Sequence, residues 1–366
     1  MHADDRQAEG SCGEGGRAEG AHSDGVGLGG SGSEGSNGGE VRPESSAPEG
    51  ARSEGSNFGD GYGDASEDSH PELAHPQDSR RHGPPPRGPL TVLAQPPSLV
   101  PLLAAGALRS PFKRPAATAD FPRTRLVLPT LRVDLARLAA YERVCGFPTG
   151  EDALPVTYPH VLGFPLAMSL MSGRGFPLPL LGLVHTSIEI TRYRELAATG
   201  EYELTVYVDG LAPHRRGTEA AVVTELRVGE EVVWESVSTY LARHRTEGTA
   251  REQDRERHEP LPGVDEWRLA GDIGRRYAAA SGDRNPIHLY PLTARLFGFP
   301  RAIAHGMWTA ARCLAAHGTP QAVLVRAEFR APVLLPGTVT YAANGERFEL
   351  CGGDRVHVTG GVHPLT

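Results

Sequence analysis

The chain has 366 residues, of which 39% are hydrophobic and 22% are charged, and this length is sufficient for two ordinary domains. Its net charge of −8 at pH 7 argues against a nucleic-acid-binding surface, and the lack of a polybasic run argues against binding to an anionic membrane. The four cysteines are scattered without a CxxC pair, and neither an export signal nor an apolar run of about 18 residues is present. These features predict a cytoplasmic protein without a zinc site or a disulfide framework.

Residues 1–90 differ in composition from the rest of the chain. They are rich in Gly, Ser, Glu and Asp, as in GLGGSGSEGSNGGE, and contain few side chains that a core would bury. The segment has 17 acidic residues and 7 Arg, a net charge of −10, which leaves the remainder of this −8 chain close to neutral at +2. Because so little apolar surface cannot offset the entropy cost of ordering, the composition predicts a disordered acidic tail.

Two globular segments are predicted after the tail. The apolar spacing in PSLVPLLAAGALRS predicts a short docking helix near Ser98–Leu108. Residues 246–263 lack apolar periodicity and carry prolines near their end, so they are predicted to be an interdomain linker. This division places the folded segments at residues 97–245 and 264–366.

The two segments resemble each other in the order of their motifs, although few residues match. LARLAAYERVCGFPTG in the first corresponds to IGRRYAAASGDRNPIH in the second, and TRYRELAATGEYELTVY corresponds to AEFRAPVLLPGTVTYAA. The order predicts two copies of one structural unit. The predicted correspondences are Tyr141 with Tyr277, Gly146 with Gly282, Gly163–Pro165 with Gly298–Pro300, Arg194 with Arg330, and Gly200 with Gly337.

Each copy shows the pattern of a helix, an irregular loop, a second and more apolar helix, and then strands such as EYELTVYVDG. Because the helices come first and no βαβ alternation is present, each copy is predicted to be an α+β unit. In such a unit an antiparallel sheet wraps around one long helix. The long helix of the second copy is predicted to begin near His305–Met307 and to continue through TAARCLAA.

The segment SGDRNPIH carries the residues most suited to catalysis. Gly282 can adopt the positive φ that ends a helix, and Pro286 keeps Asn285 out of the helical region. Asp283 and His288 are therefore projected from a short loop and can converge on one bound water or substrate hydroxyl. Gly-Asp and Asn-Pro are also ordinary turn residues, so a purely structural loop is the alternative interpretation.

A glycine at the predicted start of the long helix forms the second element of the site. In AHGMWTAA, Gly306 has no side chain to block approach to its backbone N–H. A thioester carbonyl lying there would meet this N–H and the positive end of the helix dipole, which stabilise a developing enolate oxygen. Simple close packing of the helix is the alternative explanation for this glycine.

With these motifs the chain resembles the MaoC-like dehydratases, also called (R)-specific enoyl hydratases. YAAASGDRNPIHLYPLTA is similar to the family signature and AHGM to the start of its central helix, and the resemblance extends over residues 97–366. It implies a double hotdog of the 3-hydroxyacyl-thioester dehydratase type, preceded by the tail. By this resemblance Asp283 and His288 activate or expel water, Asn285 supports them, and the N–H of Gly306 holds the thioester oxygen.

The first copy departs from the family pattern. Phe147 stands where Asp283 stands in the second copy, Thr149 stands where Asn285 stands, and no His follows at the matching place. The resemblance then implies one active site per chain. It also implies that the degenerate copy lines a tunnel for the acyl chain, for which the apolar run VLGFPLAMSLMSGRGFPLPLLGL is suitable.

Other side chains near these motifs have structural interpretations. His305 is expected to be a structural residue at the start of the helix rather than a catalytic one, and Trp308 is expected to lie in the core. Arg194 and Arg330 occupy matching places, which favours a structural role inherited from the repeat. For Arg330, contact with the phosphates of coenzyme A or a phosphopantetheine arm is the alternative.

The expected function is the reversible dehydration of (3R)-hydroxyacyl thioesters to trans-2-enoyl thioesters, without a metal or other cofactor. The carrier of the acyl group is either coenzyme A or acyl carrier protein, between which the sequence does not decide. Two alternatives remain: a hotdog thioesterase, and a non-catalytic acyl-thioester-binding protein. A homodimer is compatible with the sequence, although no residue specifically indicates one.

Overall fold

A computed structural model describes residues 88–246 and 259–366. The predicted tail lies outside the described residues except for residues 88–90, and most of the predicted linker also lies outside them. Within the described ranges, no helix is both long enough and apolar enough to cross a membrane.

Seven α-helices and eleven strands occur in the described residues. The helices are α1 (Leu99–Arg109), α2 (Leu135–Cys145), α3 (Tyr158–Ser172), α4 (Ile273–Ser281), α5 (Pro286–Leu289), α6 (Pro291–Leu296) and α7 (Gly306–His317). The strands are β1 (Leu90–Val92), β2 (Arg125–Arg132), β3 (Leu183–Arg192), β4 (Glu201–His214), β5 (Gly217–Val228), β6 (Glu231–Arg243), β7 (Gly263–Leu269), β8 (Val323–Phe329), β9 (Gly337–Asn344), β10 (Arg347–Gly352) and β11 (Arg355–Pro364).

All the strands belong to one sheet, in the order β1-β2-β4-β5-β6-β3-β8-β11-β10-β9-β7. Only β1 pairs in parallel with its neighbour. Counted outward from the β3–β8 junction, the two halves have the same order of corresponding strands, which confirms the predicted repeat. The predicted α+β double hotdog is also confirmed, and its two sheets join edge to edge where Ser187 to Arg192 pair with Glu328 to Val323.

The two central helices are α3 and α7, because each is buried against the sheet of its own half. Most of α3 is buried on all sides, as its almost uniformly apolar sequence requires. In α7 the small buried residues Ala310 and Ala311 allow close packing, and the predicted start near His305–Met307 is confirmed. Trp308 lies in the core as expected, and its indole N–H donates to the carbonyl of Val144 in the other half at 2.8 Å.

The correspondences between the copies hold at the first helix of each half. Tyr141 and Tyr277 lie in α2 and α4 with ring centroids 6.0 Å apart. Gly146 and Gly282 end these helices with left-handed φ values of 81° and 86°. Both positions require the conformational freedom of glycine, which explains why the match was visible in the sequence.

The predicted match between the two GFP motifs is wrong. Gly163–Pro165 lies inside the central helix α3, whereas Gly298–Pro300 lies in the loop between α6 and α7. The second half inserts the short helices α5 and α6 before its central helix, and these have no counterpart in the first half. The helix that corresponds to α3 is therefore α7, which begins after the second GFP motif.

The predicted docking helix near Ser98–Leu108 is α1, and it packs against α3. Four of its residues at helical spacing, Val100, Leu103, Ala104 and Ala107, face a cavity that also borders the catalytic loop. Helix α1 therefore closes one side of a space that the sheet and α3 leave open.

Candidate active site

The loop that joins α4 to α5 is shaped by hydrogen bonds of its own side chains. The carboxylate of Asp283 accepts from the N–H of Asn285 at 3.1 Å, and the Asn285 side chain accepts from the N–H of Ile287 at 3.4 Å. Asn285 is thus the N-cap of α5, and Pro286 occupies the first position of that helix. The predicted supporting role of Asn285 therefore has a geometric basis, because its cap sets the helix that carries His288.

A glycine in α4 allows the backbone of α5 to pack directly against α4. A Cβ on Gly274 would lie 1.9 Å from the carbonyl oxygen of His288, so no other residue fits there. Sequence reasoning missed Gly274, since a glycine inside a helical pattern gives no sign of what packs against it.

His288 is buried and held in one tautomer. Its Nδ1 lies 2.8 Å from the carbonyl oxygen of Ile303, and a carbonyl oxygen only accepts, so Nδ1 carries the hydrogen. The lone pair is therefore on Nε2. His288 and Asp283 line the same cavity, and the Asp283 side chain remains 27% exposed. The two residues predicted to form the catalytic pair are brought together in one site.

His305, expected from the sequence to be structural, contacts both members of this pair. Its Nε2 donates to the backbone carbonyl of Asp283 at 3.0 Å and lies 3.9 Å from the carboxylate Oδ2. Its ring stacks on that of His288, with centroids 3.7 Å apart and planes 26° apart. Its position beside Gly306 at a helix start was the available signal, but only the fold shows which residues it meets.

Gly306 is the first residue of α7, as predicted, and it lines the cavity beside the pair. The N–H groups of the first turn have no partner within a helix, so this end of α7 offers donors to a bound oxygen. A Cβ at Gly306 would lie 3.1 Å from the ring of Phe329. The absence of a side chain therefore keeps the ring and the helix start close together.

Burial dominates the protonation of the pair. It raises the pKa of Asp283, while the nearby His288 and the N–H of Asn285 act in the opposite direction. Burial also lowers the pKa of His288, whereas Asp283 and the hydrogen bond to Ile303 raise it. At neutral pH the imidazole of His288 is therefore uncharged and able to accept a proton.

A cavity of about 1080 Å³ extends from the pair into the first half of the molecule. The run predicted to line an acyl tunnel does face this cavity. The side chains of that run that line the cavity are Val161, Phe164, Met168, Met171, Leu180, Leu181 and Leu183. An apolar chain attached to a group held between Asp283 and Gly306 would thus have a continuous apolar space beside it.

The corresponding loop of the first half carries no catalytic pair. Phe147 follows the helix-ending glycine at the place of Asp283, and its ring stacks on Tyr141 with centroids 6.3 Å apart. Thr149 is exposed. The loop of the first half therefore packs against α2 instead of presenting an acid and an imidazole.

Asp283, His288 and His305 have potential metal-ligand atoms within 4.8 Å of one another. The two imidazole planes are stacked, however, so their in-plane lone pairs run side by side and do not converge on one point. In addition, Nδ1 of His288 and Nε2 of His305 already donate to carbonyl oxygens. The three side chains are therefore arranged for hydrogen bonding rather than for coordination of a metal.

Arg194 and Arg330 follow β3 and β8, the corresponding strands of the two halves. Arg194 pairs with Glu231 at 3.7 Å, and Arg330 pairs with Glu328 at 2.7 Å. The two acidic partners lie in strands that do not correspond, Glu231 in β6 and Glu328 in β8, so the structural role expected from the repeat stays a prediction. Arg330 also lines the cavity together with Arg284 and Arg355, so both interpretations of Arg330 remain.

Two central helices wrapped by one sheet that is antiparallel except at β1, with an acid–imidazole pair beside the start of one of these helices, define a dehydratase of the double-hotdog class. Comparison with known proteins agrees. Residues 256–362 match the family model of the MaoC-like domain. The chain is 39% identical to 3-hydroxyacyl-thioester dehydratase X of Mycobacterium tuberculosis over 259 residues, which make up 69% of this chain and 91% of the relative.

Solved structures agree as well. The crystal structure of HtdX of Mycobacterium tuberculosis is similar with a TM-score of 0.58 at 38% identity, covering 66% of this chain and 100% of that one. A MaoC-like dehydratase from Phytophthora capsici shares the fold with a TM-score of 0.55 at 19% identity, covering 68% of this chain and 97% of that one. The chain therefore belongs to the family of MaoC-like dehydratases, and the family and enzyme class predicted from the sequence are confirmed.

Proposed function

We propose that this protein reversibly dehydrates (3R)-3-hydroxyacyl thioesters to trans-2-enoyl thioesters. The observation that carries the proposal is the meeting of Asp283 and His288 beside the start of α7 at Gly306, in a cavity that is also lined by many apolar side chains. The relative named 3-hydroxyacyl-thioester dehydratase supports the reaction class.

In the proposed reaction the C2–H bond and the C3–O bond of the substrate break, and one water molecule leaves. One member of the Asp283–His288 pair accepts the C2 proton, and the pair returns a proton to the departing hydroxyl group. The two groups are coupled, so the proton is assigned to the pair and not to either residue. Gly306 contributes its backbone N–H, which binds the thioester oxygen as negative charge develops on it.

We further propose a division of labour between the two halves. Residues 264–366 supply the catalytic loop and the start of α7, while residues 97–245 supply most of the apolar lining. The contacts of Val161, Met168 and Met171 with the cavity support this division. The acyl chain would then lie along the apolar side chains that α1 and α3 present to the cavity.

The carrier is proposed to be coenzyme A or acyl carrier protein, because both present the thioester on a phosphate-bearing pantetheine arm. Arg284, Arg330 and Arg355 line the same cavity as the catalytic pair, and a guanidinium group binds phosphate well. The arginine side chains support a phosphate-bearing carrier without selecting one of the two.

Hydration of crotonyl-coenzyme A, followed as loss of enoyl-thioester absorbance, tests the proposal. Asp283→Asn and His288→Ala are each expected to lower kcat by roughly 100-fold or more, since each removes a group that moves a proton. The matched controls are Asp354→Asn and His363→Ala, which lie outside the cavity and are expected to retain activity.

Release of free thiol is measured in the same reactions. Thiol release by the wild type without loss of the enoyl group would support a thioesterase instead. Turnover by a folded Asp283→Asn or His288→Ala variant at the wild-type rate would contradict the proposed site. No turnover of either coenzyme A or acyl carrier protein substrates would favour a binding protein.

A further inference from the structure

We propose that His305 is a positioning residue of this site, holding Asp283 and His288 in their reactive arrangement through a hydrogen bond to one and a ring contact with the other. The inference rests on the proposed function, since it concerns the same pair. It departs from the sequence-based expectation that this histidine serves only the start of the helix.

The first observation is the bond to the catalytic loop. Nε2 of His305 donates to the backbone carbonyl of Asp283 at 3.0 Å and lies 3.9 Å from its Oδ2. Because a carbonyl oxygen cannot donate, the hydrogen of His305 is on Nε2. This bond ties the loop after α4 to the start of α7, and so it fixes the acid relative to the N–H of Gly306.

The second observation is the contact with His288. The two imidazole rings lie 3.7 Å apart in a near-parallel stack. On His305 the ring of Tyr277 makes a further contact at 4.8 Å. The hydrogen bond to Ile303 holds the His288 ring within its plane, and the stacked ring of His305 holds it across its face. Together these contacts fix the orientation of Nε2.

The third observation is that the side chain of His305 contributes little to the stability of α7. It is the N-cap of α7, yet its side chain makes no capping hydrogen bond. Its Nδ1 is buried and has no hydrogen-bond partner in the described parts of the chain. Ser, Thr or Asp would stabilise the helix start better and would leave no buried nitrogen unpaired. A role in the pair accounts for the imidazole, whereas helix stability does not.

The ring of His305 is neutral under working conditions. Burial lowers its pKa well below the usual range, and the neighbouring His288 adds to this effect. Near His305 lie the titratable groups of Asp283 and His288, and Tyr277 from α4 and Tyr240 from β6 lie near Asp283; burial raises the pKa of both phenols. His305 therefore acts by orientation and not as a proton donor.

Two substitutions separate positioning from simple packing. His305→Phe keeps a ring against His288 but removes the N–H that binds the carbonyl of Asp283. His305→Gln removes the ring but places an amide N–H near the position of Nε2. For His305→Phe we expect kcat to fall roughly 10- to 100-fold with little change in KM, since the loop loses its orientation. His305→Gln is expected to recover most of that loss.

The pH profile supplies a readout of the contact between the rings at positions 305 and 288. A phenyl ring stacked on His288 favours the imidazolium form, so the acidic limb of kcat/KM in His305→Phe should move to higher pH by about half a unit. The imidazole of His288 is also titrated by NMR in both variants. This measurement needs no substrate, so it remains informative even if no enoyl thioester is turned over.

The outcomes are distinct. Loss of kcat in His305→Phe, recovery in His305→Gln and an upward shift of the His288 titration in the Phe variant alone support the proposal. Wild-type kcat and an unchanged titration in a folded His305→Phe variant overturn it. Equal losses in both variants accompanied by equal drops in Tm also overturn it, because they show a structural role. Inactivity of the wild type contradicts the proposed function instead.

Discussion

At single residues of this protein, burial has more influence on protonation than ion pairing has. Burial lowers the pKa of His160 and His288 and raises that of Asp283, and the attraction between Asp283 and His288 only partly opposes it. Two positions test the effect of single side chains: His160, which is buried and titratable, and Gly306, where a methyl group can be added.

His160 lines the cavity in the first half, where burial lowers its pKa from 6.5 to about 4. As the pH falls below 6.5 the unfolded chain binds a proton at this histidine, whereas the folded protein does so only near pH 4. The folded state should therefore lose stability over this range, by up to about 3 kcal/mol from this residue.

His160→Phe removes this titration while keeping a ring beside His185, so its free energy of unfolding should fall less steeply as the pH is lowered. Urea denaturation above pH 6.5 and close to pH 4 measures the difference. Leu292→Phe, at an exposed side chain without a titratable group, is the control and should keep the wild-type slope. An unchanged slope in His160→Phe would show that this imidazole is accessible to protons in the folded state.

Gly306→Ala tests the start of α7. The added Cβ would lie 3.1 Å from the ring of Phe329, so the ring or the helix start must move by a few tenths of an ångström. We expect kcat to fall by roughly tenfold or more, because a donor to a developing oxyanion must be accurately placed. Gly210→Ala is the control, since a Cβ there meets nothing within 4 Å. Equal activity of both variants would contradict a role of the Gly306 N–H.

The catalytic loop was predictable from the sequence because its residues lie within a short stretch and shape one another locally. Asp283, Asn285 and His288 needed only the ending of α4 at Gly282 to be placed. His305 and Phe329 reach the same site from other parts of the chain, and their contacts depend on how α7 and β8 pack. Spacing along the sequence carries no information about such contacts.

At the scale of elements, a run of residues with one composition serves as both core and cavity wall. Helix α3 has apolar side chains on all its faces, so it packs against β4 and β5 and still presents Met168 and Met171 to the cavity. The uniform composition predicted a buried helix but not which residues face the empty space. The uniform composition of α3 also does not reveal that Gly163–Pro165 lies within a helix, whereas Gly298–Pro300, which has the same three residues, lies in a loop.

Met168→Trp tests whether the cavity beside α3 holds the acyl chain. The larger ring would fill part of the cavity that Val161 and Phe164 also line. We expect kcat/KM for crotonyl-coenzyme A to change little, and kcat/KM for a decenoyl thioester to fall by roughly tenfold or more. Leu292→Trp, at a side chain that is 72% exposed, is the control. Parallel losses for short and long chains would place the acyl chain elsewhere.

At the scale of the whole molecule, the catalytic half depends on the half that lacks a catalytic pair. Strand β8 pairs with β3 of the first half, and the indole of Trp308 donates to Val144 across the same boundary. Arg137 donates to the carbonyls of Ala280 and Ser281 at 2.7 and 2.8 Å, directly before Asp283. The repeat could be predicted from motif order, but the continuity of the sheet depends on edge pairing, which leaves no pattern in the sequence.

These contacts lead to a prediction for truncated chains. A chain of residues 88–366 retains β1, α1 and both halves, so its kcat/KM should stay within about twofold of the full-length value. A chain of residues 259–366 loses the partner of β8, the Arg137 contacts that hold the end of α4, and the apolar wall of the cavity. It should be insoluble or inactive, because an unpaired β8 edge favours aggregation and the catalytic loop is no longer held.

Hydration of crotonyl-coenzyme A measures the activity of both truncated chains, and circular dichroism measures whether they are folded. Arg137→Met in the full-length protein isolates one of the lost contacts, and it should lower kcat while leaving the sheet intact, since only two carbonyls lose their donor. A folded and active chain of residues 259–366 would show that the first half serves only as a wall for the substrate. Inactivity of that chain, together with a partial loss in Arg137→Met, would show that the first half holds the catalytic loop in place.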